Sequence, residues 1–153
     1  MIFLLSLFFS AILLQPVYTE ELRIYSSMEI LSLLGLDPAE ALKKLGPPAE
    51  VFPLRGDEES QDDVVFYYDN HLYLFWYNNR VWQVRLDRRF EGAIAGISMG
   101  DSKEKIIDIL GKPFYCDSES CIFLLPDKGY PVRARLFFNS DSLYDAYIYR
   151  SDF

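Results

Sequence analysis

Three groups of side chains in this sequence are of types that can take part in catalysis, redox chemistry or metal binding. Each group lacks the additional residues that such a site requires. His71 is the single histidine and is a candidate general base, but no Ser or Cys stands in a recognisable nucleophile motif and no metal triad accompanies it. A glycine-rich phosphate loop is also missing from the sequence. One histidine at a strand edge is more often structural, so the sequence predicts a protein that is not an enzyme and that needs no cofactor.

The two cysteines, Cys116 and Cys121, are the second group. In an exported chain such a pair tends to be oxidised, and this spacing would close a tight loop between two strands. On the chain-entropy model a disulfide that closes so small a ring raises the free energy of unfolding by only roughly 2 kcal/mol. It would therefore stabilise a hairpin, and the fold would not depend on it. A redox or metal site is the alternative, but the spacing is not Cys-x-x-Cys and His71 is distant in the sequence.

The third group is an acidic loop at residues 56–63, which carries five carboxylates. A calcium site is conceivable there, but the ligand order and the glycine of an EF-hand are absent. A solvated loop is the preferred interpretation, and no metal site is predicted.

The charge balance argues against a nucleic-acid ligand. The 153 residues include 15 Lys and Arg against 23 Asp and Glu, for a formal net charge of −8. A protein that binds phosphate backbones normally shows a basic patch or stripe. Half of the residues are hydrophobic and a quarter are charged, which is the balance of a folded domain.

The N-terminus resembles an export signal. Residues 2–14 are apolar apart from two serines, and the chain turns polar at Glu20. This predicts a signal peptide over residues 1–19, cleaved after Thr19, and a periplasmic or secreted mature protein. An uncleaved N-terminal anchor is the alternative, and it would be the only contact with a membrane.

Two segments of the chain match at a constant offset of 65 residues, which indicates an internal repeat. The identical positions are Gly35 and Gly100, Leu45 and Leu110, Gly46 and Gly111, and Pro48 and Pro113. Each segment begins with a helix-capping residue, Asp37 in the first and Asp101 or Ser102 in the second. Each ends at a glycine, so each predicts one short amphipathic helix.

Strand-like runs follow both helices at hairpin spacing. The predicted strands cover residues 64–68, 72–77 and 81–87 in the first copy and 121–125, 132–138 and 143–149 in the second, and residues 50–54 and 114–116 are candidate first strands. Residues 28–34 are either a short helix or a strand. The fold class is therefore α+β, a tandem repeat of a helix and an antiparallel sheet of three to four strands.

The predicted domains are a first repeat over residues 20–90 and a second over residues 91–153, joined by a connector at residues 88–96. A unit of about sixty residues buries little surface alone. We therefore expect the copies to share a core or to dock side by side.

Alternation along the strands predicts which side chains leave the core. In residues 81–86 it assigns Trp82, Val84 and Leu86 to the core, and Arg85 to the opposite face. In the last strand it groups Tyr144 with Ala146 and Ile148. The outward residues form an aromatic and cationic face, for which the candidate partner-binding side chains are Arg85, Arg133, Arg135, Phe137, Tyr147 and Tyr149.

Tyr and Arg on a rigid sheet are residue types that carry much of the binding energy of protein interfaces. A protein-binding face is the preferred interpretation. Cross-strand pairing for stability alone is an equal alternative for any single residue. A face that holds a small envelope ligand, such as a glycan or lipid, is the second functional hypothesis.

The residues Gly96-Ile97-Ser98-Met99-Gly100-Asp101-Ser102 and Leu110-Gly111-Lys112-Pro113 resemble the helix motif of the beta-lactamase-inhibitor-protein-like superfamily, which includes outer-membrane-assembly lipoproteins of the SmpA/OmlA type. The resemblance covers most of residues 35–149 as two copies. It implies that the sheets form one concave face that grips another envelope or secreted protein, in enzyme inhibition or in envelope assembly. The lipoprotein cysteine is missing here, which sets this chain apart from the lipid-anchored members.

Overall fold

A computed structural model of the chain describes residues 30–57 and 63–152. The predicted signal peptide and the middle of the acidic loop lie outside these residues. No helix within the described part of the chain is long and apolar enough to span a bilayer.

The two predicted helices form with the predicted caps. Helix α1 is Pro38–Leu45, and it begins with a reciprocal capping box. The Asp37 N–H donates to Glu40 Oε2 and the Glu40 N–H donates to Asp37 Oδ1, both over 2.9 Å. Helix α2 is Lys103–Leu110, and its cap is Ser102, which accepts from the Lys105 N–H. Asp101, the other candidate cap, forms an ion pair with Lys105 instead.

Eight strands build one antiparallel sheet. They are β1 (Glu50–Leu54), β2 (Asp63–Tyr68), β3 (Leu72–Tyr77), β4 (Arg80–Asp87), β7 (Tyr115–Cys116), β8 (Ser120–Leu125), β9 (Val132–Asn139) and β10 (Ser142–Arg150). Strands β5 (Ala93–Ile94) and β6 (Ile97–Ser98) form a separate hairpin that begins inside the predicted connector and ends two residues beyond it. The sheet order is β1-β2-β3-β4-β10-β9-β8-β7, so the last strands of the two halves pair at its centre.

The halves share one hydrophobic core on the helix side of the sheet. Ala41 of α1 and Ile106 of α2 are buried in the same cluster as Leu74 and Leu136 of the sheet. Residues 30–31 are helical and a turn follows, which favours a helical turn over a strand for the described part of segment 28–34; its first two residues lie outside the described range. The fold is thus predominantly one antiparallel sheet with two short helices on one face.

The halves follow the same order of helix and strands but differ in detail. Strand β1 has five residues and β7 has two. The hairpin of β5 and β6 precedes α2, whereas a helical turn precedes α1.

A β-bulge in each half overturns part of the predicted alternation. In β4, Trp76 pairs with Val81 and Phe75 pairs with Gln83, so Trp82 is the extra residue. Val81 is consequently fully buried in the core and Trp82 is not part of it. The assignment of Trp82 to the core was wrong because a bulge reverses the phase of the side chains before it.

The bulge in β10 has the same form. Phe138 pairs with Leu143 and Phe137 pairs with Asp145, which leaves Tyr144 unpaired. Leu143 is 2% exposed and Tyr144 is 39% exposed. The grouping of Tyr144 with the buried Ala146 and Ile148 was therefore wrong for the same physical reason.

The disulfide prediction is confirmed. Cys116 and Cys121 are bonded, and they are also a directly paired couple between β7 and β8. The bond closes the hairpin at one edge of the sheet.

Candidate functional site

All six predicted partner-binding residues lie on three adjacent strands and point away from the core cluster. Arg85 is on β4, Arg133, Arg135 and Phe137 are on β9, and Tyr147 and Tyr149 are on β10. We call the sheet face that the helices do not cover the open face. The predicted residues therefore lie together on the open face, at the centre and towards the β7 side of the sheet.

Cross-strand register arranges four side chains of the open face into one row. Tyr73 pairs with Arg85, Arg85 pairs with Tyr147, and Tyr147 pairs with Arg135. Aromatic rings and guanidinium groups thus alternate across β3, β4, β10 and β9. We call this set the Tyr–Arg row. Sequence reasoning missed Tyr73, although its alternation within β3 could have placed it on this face.

Arg85 is the best-anchored member of the Tyr–Arg row. Its Nη2 donates to Asp145 Oδ2 over 2.7 Å and its Nε donates to Asp145 Oδ1 over 3.1 Å. Its guanidinium carbon lies 5.2 Å from the Tyr73 ring centroid and 5.4 Å from that of Tyr147. The hydrogen bonds to Asp145 raise the pKa of Arg85 despite its partial burial, and burial raises the pKa of Tyr147.

Arg135 is held from the β8 side. Its Nε donates to Ser120 Oγ over 2.9 Å and its Nη2 donates to Asp117 Oδ2 over 3.1 Å. Its guanidinium carbon lies 5.1 Å from the Phe137 ring centroid. Asp117 also accepts from the backbone N–H groups of Glu119 and Ser120, which lowers its pKa.

The guanidinium of Arg133 has different contacts from those of Arg85 and Arg135. Its guanidinium carbon lies 5.4 Å from the Phe114 ring centroid. Its Nε is buried and has no hydrogen-bond partner among the residues that the structure describes. Within residues 30–57 and 63–152 it forms no ion pair.

A shallow groove of about 390 Å³ opens beside the Tyr–Arg row. Its walls include three of the predicted aromatic residues, with the Phe137 and Tyr147 rings in edge contact at a centroid distance of 5.7 Å. The lining residues are Trp82, Gln83, Ile122, Arg135, Phe137, Tyr147 and Tyr149. Trp82 belongs to this groove only because of the β4 bulge, and its Nε1 donates to Asp63 Oδ1 over 3.2 Å.

A polar cluster occupies the other end of the face. Asp87 accepts from Tyr73 OH at 3.1 Å, from Arg89 Nη2 at 2.8 Å and from the Arg89 backbone N–H at 2.9 Å. Burial raises the pKa of Asp87, but these hydrogen bonds outweigh it and lower the pKa from 3.8 to about 2. The sequence did not indicate this cluster, because strand pairing brings Tyr73 to Asp87.

His71 lies next to this cluster, in the turn between β2 and β3, and not at the strand edge that we expected. Its Nδ1 is 3.3 Å from Tyr67 OH and 3.7 Å from Asp87 Oδ2. No nucleophilic side chain takes part in these contacts. Across the described ranges, no three His, Cys, Asp or Glu side chains gather as a metal-binding group.

Comparison with known proteins adds a likeness of fold. The chain is similar to the crystal structure of an extracellular protein containing an SCP domain from Bacillus anthracis str. Ames, with a TM-score of 0.54 and 12% sequence identity. The match covers 88% of this chain and 49% of that protein, so the chain spans about half its length. No protein-family model matches the sequence, and no curated protein matches it. The resemblance to the beta-lactamase-inhibitor-protein-like superfamily therefore stays a prediction.

Proposed function

We propose that this chain is an exported, non-catalytic protein that binds another protein through its open face. The observation that carries the proposal is the Tyr–Arg row, in which arginines and tyrosines alternate in register over four strands from both halves of the chain. Such residues present large contact area at a small cost in conformational entropy. Because strand pairing and ion pairs hold them, the row is preorganised for a partner.

Export is supported by two observations. The apolar N-terminal residues have the pattern of a signal peptide. The bond between Cys116 and Cys121 is typical of proteins that mature in an oxidising compartment. The compartment we propose is the periplasm or the exterior of the cell.

A further part of the proposal is that the halves are copies of one unit, whose sheets form one concave face. Both helices end at a glycine with a similar positive φ, 81° at Gly46 and 85° at Gly111. The N–H of Gly35 donates to the Val81 carbonyl over 2.8 Å, and the N–H of Gly100 donates to the Leu143 carbonyl over the same distance. Val81 and Leu143 are the residues before the two bulges, so the matched contacts extend from helix to sheet.

The test is capture of partners from a native envelope extract with the mature protein. One bait is the wild type, and the second carries Arg133→Ala, Arg135→Ala, Tyr147→Ala and Tyr149→Ala. The matched control carries Lys43→Ala and Lys128→Ala, which also removes two positive charges from exposed positions. We expect one protein to be enriched by the wild type and the control and to be lost with the quadruple variant.

A second variant, Arg133→Glu with Arg135→Glu, reverses the two charges and leaves the aromatic rings in place. If it is folded, its loss of binding is not explained by loss of structure. Thermal unfolding of all baits is measured alongside. Equal enrichment by the wild type and by a folded charge-reversal variant would contradict the proposal.

Binding of a small envelope ligand, such as a glycan or lipid fragment, is the second candidate function. The groove of about 390 Å³ favours it, since aromatic walls with a few polar groups are typical of small-molecule sites. Titration of envelope glycans and lipid headgroups, read out by Trp fluorescence, tests this candidate. A response that Trp82→Phe abolishes, with no protein captured, would replace the first proposal by the second.

A further inference from the structure

Arg133 differs from the other two arginines of the candidate site in its charge environment. Asp145 neutralises Arg85, and Asp117 neutralises Arg135. No carboxylate of residues 30–57 or 63–152 forms an ion pair with Arg133. The guanidinium therefore keeps an uncompensated positive charge on a chain whose formal net charge is −8.

The surroundings of Arg133 are apolar and exposed. Phe114, under the guanidinium, is 63% exposed, and Leu124, which pairs with Arg133 in the sheet, is 57% exposed. Tyr115, the residue after Phe114, is 55% exposed. We call Arg133, Phe114, Tyr115 and Leu124 the edge patch, because they lie on or beside the last three strands at this edge of the sheet, β9, β8 and β7.

The chemistry of the edge patch specifies what would cover it. An uncompensated guanidinium attracts an anion, and a carboxylate can bind it through two parallel hydrogen bonds. Exposed Phe, Tyr and Leu side chains around the cation gain from apolar contact and exclude water from the ion pair. A lone anion would leave these apolar side chains exposed, and an apolar segment alone would bury the charge unpaired.

We propose that the edge patch docks a segment of a partner protein in which carboxylates are interleaved with apolar side chains. This inference rests on the proposed protein-binding function and names the chemistry of its partner. The partner's carboxylate pairs with Arg133, and its apolar side chains cover Phe114, Tyr115 and Leu124. The rest of the open face contributes contact area.

Three acetylated nonapeptides test the inference by calorimetric titration of the mature protein. The first alternates Glu with Leu, the second replaces every Glu by Lys, and the third replaces every Leu by Ser. We expect the first peptide to bind at least about tenfold more tightly than either control. Arg133→Ala should weaken its binding about tenfold, as expected for loss of a partly desolvated charge pair. Lys43→Ala, which removes one exposed positive charge on α1, should leave the binding unchanged.

Phe114→Ser supplies a second variant whose folding is not at risk, since Phe114 is 63% exposed. It should weaken binding of the Glu–Leu peptide and leave thermal unfolding unchanged. No binding of any peptide at 1 mM, roughly the affinity limit of a specific weak contact, would overturn the inference. Equal binding of the Glu and Lys peptides, or of wild type and Arg133→Ala, would also overturn it.

The result is separable from a failure of the proposed function. If a native partner is captured through the open face but Phe114→Ser with Leu124→Ala still captures it, the proposed function stands and the edge patch is not its docking site. Sedimentation of the free protein tests whether a second copy of the chain occupies the edge patch. If a second copy of the chain covers the patch, the sedimentation coefficient rises with concentration and falls back in Phe114→Ser, and the inference is wrong.

Discussion

The guanidinium of Arg85 and the phenol ring of Tyr147 come from different halves of the chain and are direct cross-strand partners, with 5.4 Å between the guanidinium carbon and the ring centroid. This contact lies at the β4–β10 junction, where the two halves become one sheet. The open face therefore exists only when the halves are joined. A stability measurement at Arg85 reports on that junction.

Arg85→Ala should lower the free energy of unfolding by about 2–3 kcal/mol. The variant leaves Asp145, whose side chain is 13% exposed, as a partly buried carboxylate without its guanidinium, and it removes the cation from between two rings. Urea denaturation of Arg85→Ala and of Arg80→Ala gives the comparison, since Arg80 forms exposed ion pairs with Asp37 and Glu40 and one hydrogen bond to the Gly35 carbonyl. A loss no larger in Arg85→Ala than in Arg80→Ala would show that the junction does not depend on this pair.

Asp87 should make stability depend on pH in acid. Its pKa is lowered from 3.8 to about 2, so its contribution is present above about pH 4 and is lost as the pH falls through about 2. At neutral pH a shift of this size corresponds to about 2 kcal/mol. Asp87→Asn should lose that amount at pH 7 and should show a shallower decline between pH 4 and pH 2.

The measurement for Asp87 is chemical denaturation at a series of pH values. Asp127→Asn, which changes an exposed carboxylate in the β8–β9 loop, is the matched control. Parallel pH profiles for wild type and Asp87→Asn would rule out the assigned role of Asp87.

Reduction of the Cys116–Cys121 bond should lower the free energy of unfolding by roughly 2 kcal/mol, because the bond closes a small loop in the unfolded chain. The fold should persist, since Cys121 is one of many buried members of the core cluster. Urea denaturation with and without dithiothreitol measures the effect. The stability of the double variant Cys116→Ala with Cys121→Ala should not change with the reductant. An equal loss of stability in this variant would show that the effect of dithiothreitol does not come from the disulfide.

The β10 bulge predicts opposite outcomes for two neighbouring residues. Leu143→Ala should cost about 3 kcal/mol because it empties a core position, whereas Tyr144→Ala should cost less than about 1 kcal/mol. Thermal and urea unfolding of the two variants measure the difference. The reverse order would mean that β10 alternates without a bulge.

Much of the secondary structure could be predicted because its signals are local. Strands β1 and β3 have the predicted limits, β2, β4, β8 and β9 differ by one residue at one end, and β10 is one residue longer at each end. Turn-favouring residues also stand between these strands, with Asn78, Asn79, Ser140 and Asp141 all at positive φ. Side-chain alternation placed Arg133, Arg135 and Phe137 on one face because β9 is regular between them.

The assignments that failed, Trp82 and Tyr144, lie at bulges, which strand periodicity does not reveal. A bulge is a property of a pair of strands, because it counts two residues on one strand against one on the other. The cluster of Asp87, Tyr73 and Arg89 was missed for a related reason. Its carboxylate and phenol are fourteen residues apart in sequence and meet only when β3 and β4 pair.

The sequence by itself determined the two short helices and the strands of the large sheet, and it favoured a bond between Cys116 and Cys121. Each of these depends on the conformational preferences of neighbouring residues or on a short loop closure. The tertiary structure decided three further features. It decided that β4 pairs with β10, it decided the position of each bulge, and it left Arg133 without an acidic partner among the described residues. These features depend on hydrogen bonds and charges between residues far apart in the chain, which no local preference specifies.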